Sequence, residues 1–230
     1  MNKILVINPT TTEDWNEPDR RYFQKVLSED SSCTVLSINE GPESIESFTD
    51  EAYAQPGILD LVGDNSGNFD AMVINCFADP GLDAARELTS CPVVGPAQSS
   101  MALATQLFPS YVVVSVLENS SPWVNMYAEK VGLDSNLAGV AGVDIPVKGL
   151  EEKRDRTVAA IKDRAEELLS RVGAEGVILG CTGMAHLAEE IDKQLPVPVI
   201  EPAAVAVKTA EIMAHLGLNH HQGKLYLSLD

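Results

Sequence analysis

Two of the four cysteines stand in the same setting. "NFDAMVINCFADPGL" (Asn68 to Leu82) and "GAEGVILGCTGMAHL" (Gly173 to Leu187) share one layout: an acidic lead-in, an apolar run, a cysteine, turn residues and then a helical segment. A thiol at the start of a helix meets unpaired amides and the positive end of the helix dipole. Both lower its pKa from about 8.5 toward neutrality. Such a thiol is a competent base as the thiolate and a competent acid as the thiol. Two of them approaching one carbon from opposite sides would remove a proton on one face and return one on the other. Cys76 and Cys181 are therefore the candidate catalytic pair. The amides at Phe77–Ala78 and Thr182–Gly183 are candidates to hold an oxyanion. Gly180 and Gly183 let backbone approach a ligand closely. Cys33, inside a predicted strand, and Cys91, beside Pro92, read as packing residues.

The elements that must position these thiols follow from hydrophobic pattern. Apolar, β-branched runs predict strands at Lys3–Ile7, Thr34–Ile38, Ala71–Ile74, Val93–Gly95, Tyr111–Val116, Leu137–Val143, Gly176–Leu179 and Val197–Ile200. Helical segments separate them. The clearest spans Leu150 to Val172, where Val158, Ile161, Ala165, Leu168, Leu169 and Val172 recur at helical steps and Gly173 supplies the stop. Continuously apolar strands separated by helices imply parallel sheets covered on both faces. The pattern also repeats. "FDAMVINCF" aligns with "AEGVILGCT", "CPVVGPA" with "VPVIEPA", and "ILVINPTT" with "VVVSVLENSS", in one order and at nearly one offset. The fold class read from this is α/β. It comprises two similar three-layer lobes with mainly parallel four-stranded sheets, related by pseudo-two-fold symmetry. The lobes are expected at 1–96 plus 204–230 and at 97–203. Ligands of open α/β sheets lie beyond the carboxyl ends of strands, so the active site is expected in the interlobe cleft.

The turns at those strand ends supply candidate binding residues. "NPTTT" offers Asn8, Thr10 and Thr11, "GPESIES" offers Gly41 and Pro42, and "LENSSP" follows Ser115 and Val116. Together with Phe77, Ala78, Thr182, Gly183 and Met184 they make the expected substrate-binding set. These loops carry neutral hydrogen-bonding groups and no Lys or Arg, whereas a free carboxylate usually calls for a guanidinium clamp. A neutral substrate, or one held by backbone amides, is expected. Plainer readings stand beside these. Asn8 can cap its own turn, and the threonine hydroxyls can bond backbone. Phe77 and Met184 can pack against the sheet. His186 can be an ordinary half-buried histidine, and Glu201 can cap the helix that follows it.

Composition narrows the classes further. The 230 residues carry 34 acidic and 16 basic side chains, a net charge of −18. That disfavours nucleic acid and anionic membranes as partners. No CxxC or CxxxH pair suggests zinc, and the "HLGLNHH" segment is read as non-metal. No metal and no cofactor are expected. The start of the chain lacks a signal-peptide pattern and no apolar stretch reaches membrane length, so a cytoplasmic protein is expected.

"ILVINPTTT", "GPESIES", "DAMVINCFADPGLDAARELTSCPVVG", "VILGCTGMAHL" and "VPVIEPAAVAVKTAE" together resemble the hydantoin and allantoin racemase branch of the aspartate/glutamate racemase superfamily. The resemblance runs from residue 3 to about 218. It implies two α/β lobes, no cofactor, a two-cysteine site at the lobe interface and a homo-oligomer (dimer, tetramer or hexamer). The sequence departs from that branch's pattern at Thr10, at Gln98 within "GPAQSSMA", at Ser115–Val116 and at Glu201–Pro202. The expected function is cofactor-independent racemisation of 5-substituted hydantoins or a cyclic ureide such as allantoin. The alternatives in the same superfamily are an aspartate-type amino-acid racemase and a dicarboxylate cis–trans isomerase. A bilobal small-molecule binding protein is the non-enzyme alternative.

Overall fold

A computed structural model describes residues 1–227; the last three residues, which the sequence reading assigns to the first lobe, lie outside the described residues. The chain divides into two compact units, Met1–Pro96 with Ala206–Asp230 and Ala97–Val205.

Unit 1 contains β1 (Asn2–Asn8), α1 (Asn16–Val26), β2 (Ser31–Ser37), α2 (Phe48–Asp64), β3 (Ala71–Ile74), α3 (Leu82–Leu88) and β4 (Val93–Val94). Its sheet has the order β2-β1-β3-β4 with all neighbours parallel. Ile4 through Ile7 and Ala71 through Ile74 are wholly buried. Both faces of the two central strands are therefore covered, which is why these strands read as unbroken apolar runs rather than alternating ones.

Unit 2 repeats the plan. It contains most of α4 (Pro96–Leu107), then β5 (Tyr111–Ser115), α5 (Ser120–Val131), β6 (Leu137–Gly142), α6 (Arg154–Val172), β7 (Val177–Leu179), α7 (Ala188–Asp192) and β8 (Val199–Ile200). The sheet order is β6-β5-β7-β8, again parallel throughout. Helix α8 (Pro202–Leu216) begins in unit 2, and the second change of unit falls inside it. The core of unit 2 gathers Val112, Val114, Ile161, Ala165, Leu168, Val177, Leu179, Met184 and Leu187.

All eight expected strands form, with their ends moved by local chemistry. Of the four edge strands, β4 and β8 are short, and each begins after a proline. Pro92 and Pro198 cannot donate to a ladder, but their carbonyls still accept from Met72 N (2.9 Å) and Val177 N (3.1 Å). The helix expected from Leu150 starts later, at Arg154, after a 3₁₀ turn at Val147–Gly149. It ends as expected, with Gly173 left-handed at φ 69°. Beyond α8 the chain returns to the edge of unit 1. His220 Nε2 accepts from Val93 N at 3.1 Å, and Gln222 Nε2 reaches the carbonyls of Arg86, Glu87 and Thr89. This cover blunts a sheet edge, and it is the use the structure gives the histidine-rich segment.

Candidate active site

In each sheet the chain runs first to one side and then to the other, so the order reverses between β1 and β3 and between β5 and β7. The crevice beyond the carboxyl ends of such a strand pair is where open α/β sheets bind ligands. Cys76 follows β3, and "NPTTT" follows β1. Cys181 follows β7, and Ser115–Val116 closes β5. Sequence and topology thus put each cysteine at the switch point of its own unit.

The two cysteine turns are built alike. The residue before each cysteine is held by the neighbouring strand: Asn75 N donates to Ile7 O at 2.8 Å, and Gly180 N to Val114 O at 2.7 Å. A side-chain bond then ties the same pair of strand ends. Asn75 Nδ2 donates to Asn8 Oδ1 at 2.8 Å in unit 1, and Ser115 Oγ donates to Gly180 O at 3.0 Å in unit 2. A Cβ at position 180 would sit 2.8 Å from Ser115 Cβ, so glycine is required there by the strand packing. Finally, each cysteine carbonyl accepts from the amide three residues on, Asp79 N at 3.0 Å and Met184 N at 3.1 Å.

One difference bears on the chemistry. Cys181 does open a helix, the 3₁₀ segment Thr182–Leu187. Cys76 does not: a turn fills the space to Leu82, where α3 begins. The helix dipole expected beside both thiols is therefore present at Cys181 alone. At Cys76 the nearby amides belong to a turn, because the Asp79–Pro80–Gly81 sequence delays the helix. Pro80 would end any helix running into it.

The expected binding residues fall into two groups. Some are committed to the protein. Asn8 Nδ2 donates to Asn16 Oδ1 (3.0 Å) and Asp19 Oδ2 (3.1 Å), so its side chain joins β1, β3 and α1. Ser115 is buried and bonded to Gly180. Met184 is fully buried in the core of unit 2, and Val116 packs in the same cluster. Phe77 is buried in unit 1. Glu201 accepts from Ala203 N (2.8 Å) and Ala204 N (2.6 Å) and so caps α8.

Others remain on the rim. Thr11 N donates to Pro42 O at 3.0 Å and Thr12 Oγ1 to Glu43 O at 3.4 Å, which joins the "NPTTT" loop to the Gly41–Pro42 loop. Ala78, Thr182 and Gly183 are half-buried, as are both cysteines. A Cβ on Gly183 would lie 3.4 Å from Cys181 Sγ, so the sulfur leans over that residue. Thr10 stands out. Its side chain is only 6% exposed, yet its hydroxyl has no hydrogen-bond partner among the described residues. A buried hydroxyl without a partner costs about 1–3 kcal/mol.

Burial pushes the pKa of Cys33 up, and burial also pushes up that of Cys91, against the opposing bond from Thr89. Asn75, Asn16 and Asp19 were not singled out in the sequence. The available signal was an amide residue directly before a cysteine at the end of an apolar run.

Residues 4–210 match the profile of a family described as Asp/Glu/hydantoin racemase. The chain is 34% identical to a hydantoin racemase of Pseudomonas sp. (strain NS671), over 97% of this chain and 90% of that protein. It is 31% identical to a hydantoin racemase of Paenarthrobacter aurescens, over 97% of this chain and 96% of that protein. Among solved structures, allantoin racemase from Klebsiella pneumoniae superposes with a TM-score of 0.94 at 31% identity, covering 100% of this chain and 94% of that one.

Proposed function

The chain belongs to the Asp/Glu/hydantoin racemase family, and from that premise we propose that it racemises 5-substituted hydantoins or a related cyclic ureide such as allantoin, without a cofactor, through Cys76 and Cys181. The observation that carries the reading is the matched construction of the two cysteine turns: same strand, same pinning of the preceding residue, same closure on the cysteine carbonyl.

One cysteine, as thiolate, removes the proton from the ring carbon. The C–H electron pair moves into the adjacent carbonyl and makes an enolate, whose oxygen is held by amides of the 77–78 and 182–183 turns. The other cysteine, as thiol, delivers its proton to the opposite face. The enolate collapses to the other enantiomer, and the two thiols have exchanged protonation states. A hydantoin suits this route because no carboxylate charge opposes carbanion formation. The lack of Lys and Arg in these loops supports it over an amino-acid substrate, which would call for a cation at the site. Thr10, Thr11, Gly41, Pro42 and the half-buried turn residues line the substrate, and the Thr10 hydroxyl gains its missing partner from it. Assembly as a homo-oligomer belongs to the same proposal; exposed Ile212, Leu216 and Leu218 in and just after α8 support it.

Single enantiomers of several 5-substituted hydantoins, allantoin and aspartate, each followed by optical rotation, test the substrate class. Rotation decaying to zero with a hydantoin or allantoin, and not with aspartate, is expected. Racemisation of aspartate alone would overturn the assignment.

A further inference from the structure

Asp79 carries a structural signature that the proton-transfer scheme does not use. It is one of two non-glycine residues with positive φ, at 48°, among the described residues. Aspartate tolerates this region better than most residues, but such conformations persist only where the surroundings fix them. The side chain is 5% exposed. Its backbone N–H donates to Cys76 O at 3.0 Å, and its carbonyl accepts from Leu82 N, at the start of α3, at 3.3 Å. Its carboxylate lies against Gly95, the residue between β4 and Pro96. A Cβ on Gly95 would lie 2.3 Å from the Asp79 carboxyl carbon, closer than real contacts allow. Asp79 therefore joins three things within unit 1: the Cys76 turn, the start of α3 and the exit from β4.

Unit 2 solves the corresponding problem differently. Met184 occupies the place of Asp79, three residues after the cysteine, and it is buried in the apolar core. Glu201 occupies the place of Gly95, and its own carboxylate caps α8. Both units place a carboxylate at the exit from the edge strand. Only unit 1 takes it from the cysteine turn. The two cysteine turns share the backbone hydrogen bonds on either side of the cysteine and differ in what holds them.

We propose that Asp79 is a positioning residue for Cys76: by seating its carboxylate against Gly95 it fixes the Cys76 turn to the end of β4, and it has no such effect on Cys181. The catalytic consequence rests on the two-thiol reading above; the anchoring itself does not.

Two substitutions separate the possibilities. Asp79→Asn keeps the size and the tolerance for positive φ and removes the charge. Gly95→Ala leaves Asp79 in place and displaces its carboxylate. Each is combined with Cys181→Ser, which leaves Cys76 as the exchanging base, and with Cys76→Ser, which leaves Cys181. Deuterium uptake from D₂O into each substrate enantiomer is then measured by NMR. Cys76-borne exchange should fall by about ten-fold or more, since small misplacements of a reacting group carry large rate costs. Cys181-borne exchange should stay within about two-fold. In parallel, the iodoacetamide alkylation rates of Cys76 and Cys181 are compared by mass spectrometry in protein retaining both thiols. The ratio should change by about five-fold or more. Equal loss on both thiols, or no change on either, would overturn the inference and leave Asp79 a purely structural residue. If Asp79→Asn does not fold, Gly95→Ala carries the same comparison. If the single cysteine variants exchange no substrate at all, the two-thiol reading fails on its own. The alkylation ratio then decides the anchoring, and an unchanged ratio rejects it.

Discussion

At the scale of single residues, the cysteines were legible because their type, their place after an apolar run and their repetition all lie along the chain. Asn75 and Asp79 were not. Asn75 acquires its role from Asn8, 67 positions away, and Asp79 from the missing side chain of Gly95. Neither relation has a local pattern. Asn8 and Ser115 illustrate the converse. Their types suit ligand binding, but the structure shows their polar groups engaged with the protein. Thr10 is the residue whose isolation is informative, since its buried hydroxyl has no partner among the described residues. Thr10→Val removes that hydroxyl and no hydrogen bond of the protein. Thermal stability should hold or rise, while KM should increase by about three- to ten-fold, the value of one neutral hydrogen bond. Steady-state kinetics beside a melting curve would check this. An unchanged KM with a clear loss of stability would assign the hydroxyl to the fold instead.

At the scale of elements, strands were easier to read than helix starts. Burial on both faces makes a parallel strand apolar throughout, and that signal survives in the sequence alone. A helix start depends on caps and turns, so Cys76 was expected at a helix that in fact begins at Leu82. Helix α8 shows how an element can be tied down by a single carboxylate. Glu211 accepts from Ser28 N, beyond the end of α1, at 2.9 Å and from Lys208 Nζ at 2.6 Å. Burial raises the pKa of this carboxyl, but the bonds from Lys208, Ser31 and Ser28 outweigh it and hold the pKa at about 2. Because the folded value lies below the ordinary 4.5, the stabilisation is present in full above that pH. It is lost as pH falls toward 2. Glu211→Gln should therefore cost about 1–3 kcal/mol near neutral pH, with the difference from the parent shrinking below pH 4.5. Urea denaturation of both proteins across pH 3 to 7, on the order of one measurement per unit, would show it. A constant difference across that range would mean that shape, not charge, is what Glu211 contributes.

For the whole molecule, the governing feature is the repeated plan. Each unit has four parallel strands in the same order, a reversal of order beside the first strand, and a cysteine at that reversal. The repeat was legible because three stretches match at nearly one offset. The difference in how the two cysteine turns are anchored was not, because it exchanges a carboxylate between positions 79 and 201, which no alignment of the halves brings together. The net charge of −18 belongs to this scale as well. It discourages association with polyanions and says nothing about the site, whose loops carry no Lys or Arg. In the proposed mechanism the two matched thiols serve opposite faces of one substrate carbon. Hydrogen–deuterium exchange by the two single variants tests it most directly. Serine is a far weaker base than a thiolate near neutral pH, so Cys76→Ser and Cys181→Ser should each lose racemisation, by about 10²-fold or more. Each should still exchange the substrate proton for deuterium, without inversion, in one enantiomer, and the two variants should choose opposite enantiomers. A variant that exchanges both enantiomers, or that keeps full racemase activity, would contradict the account and reduce one of the two cysteines to a structural residue.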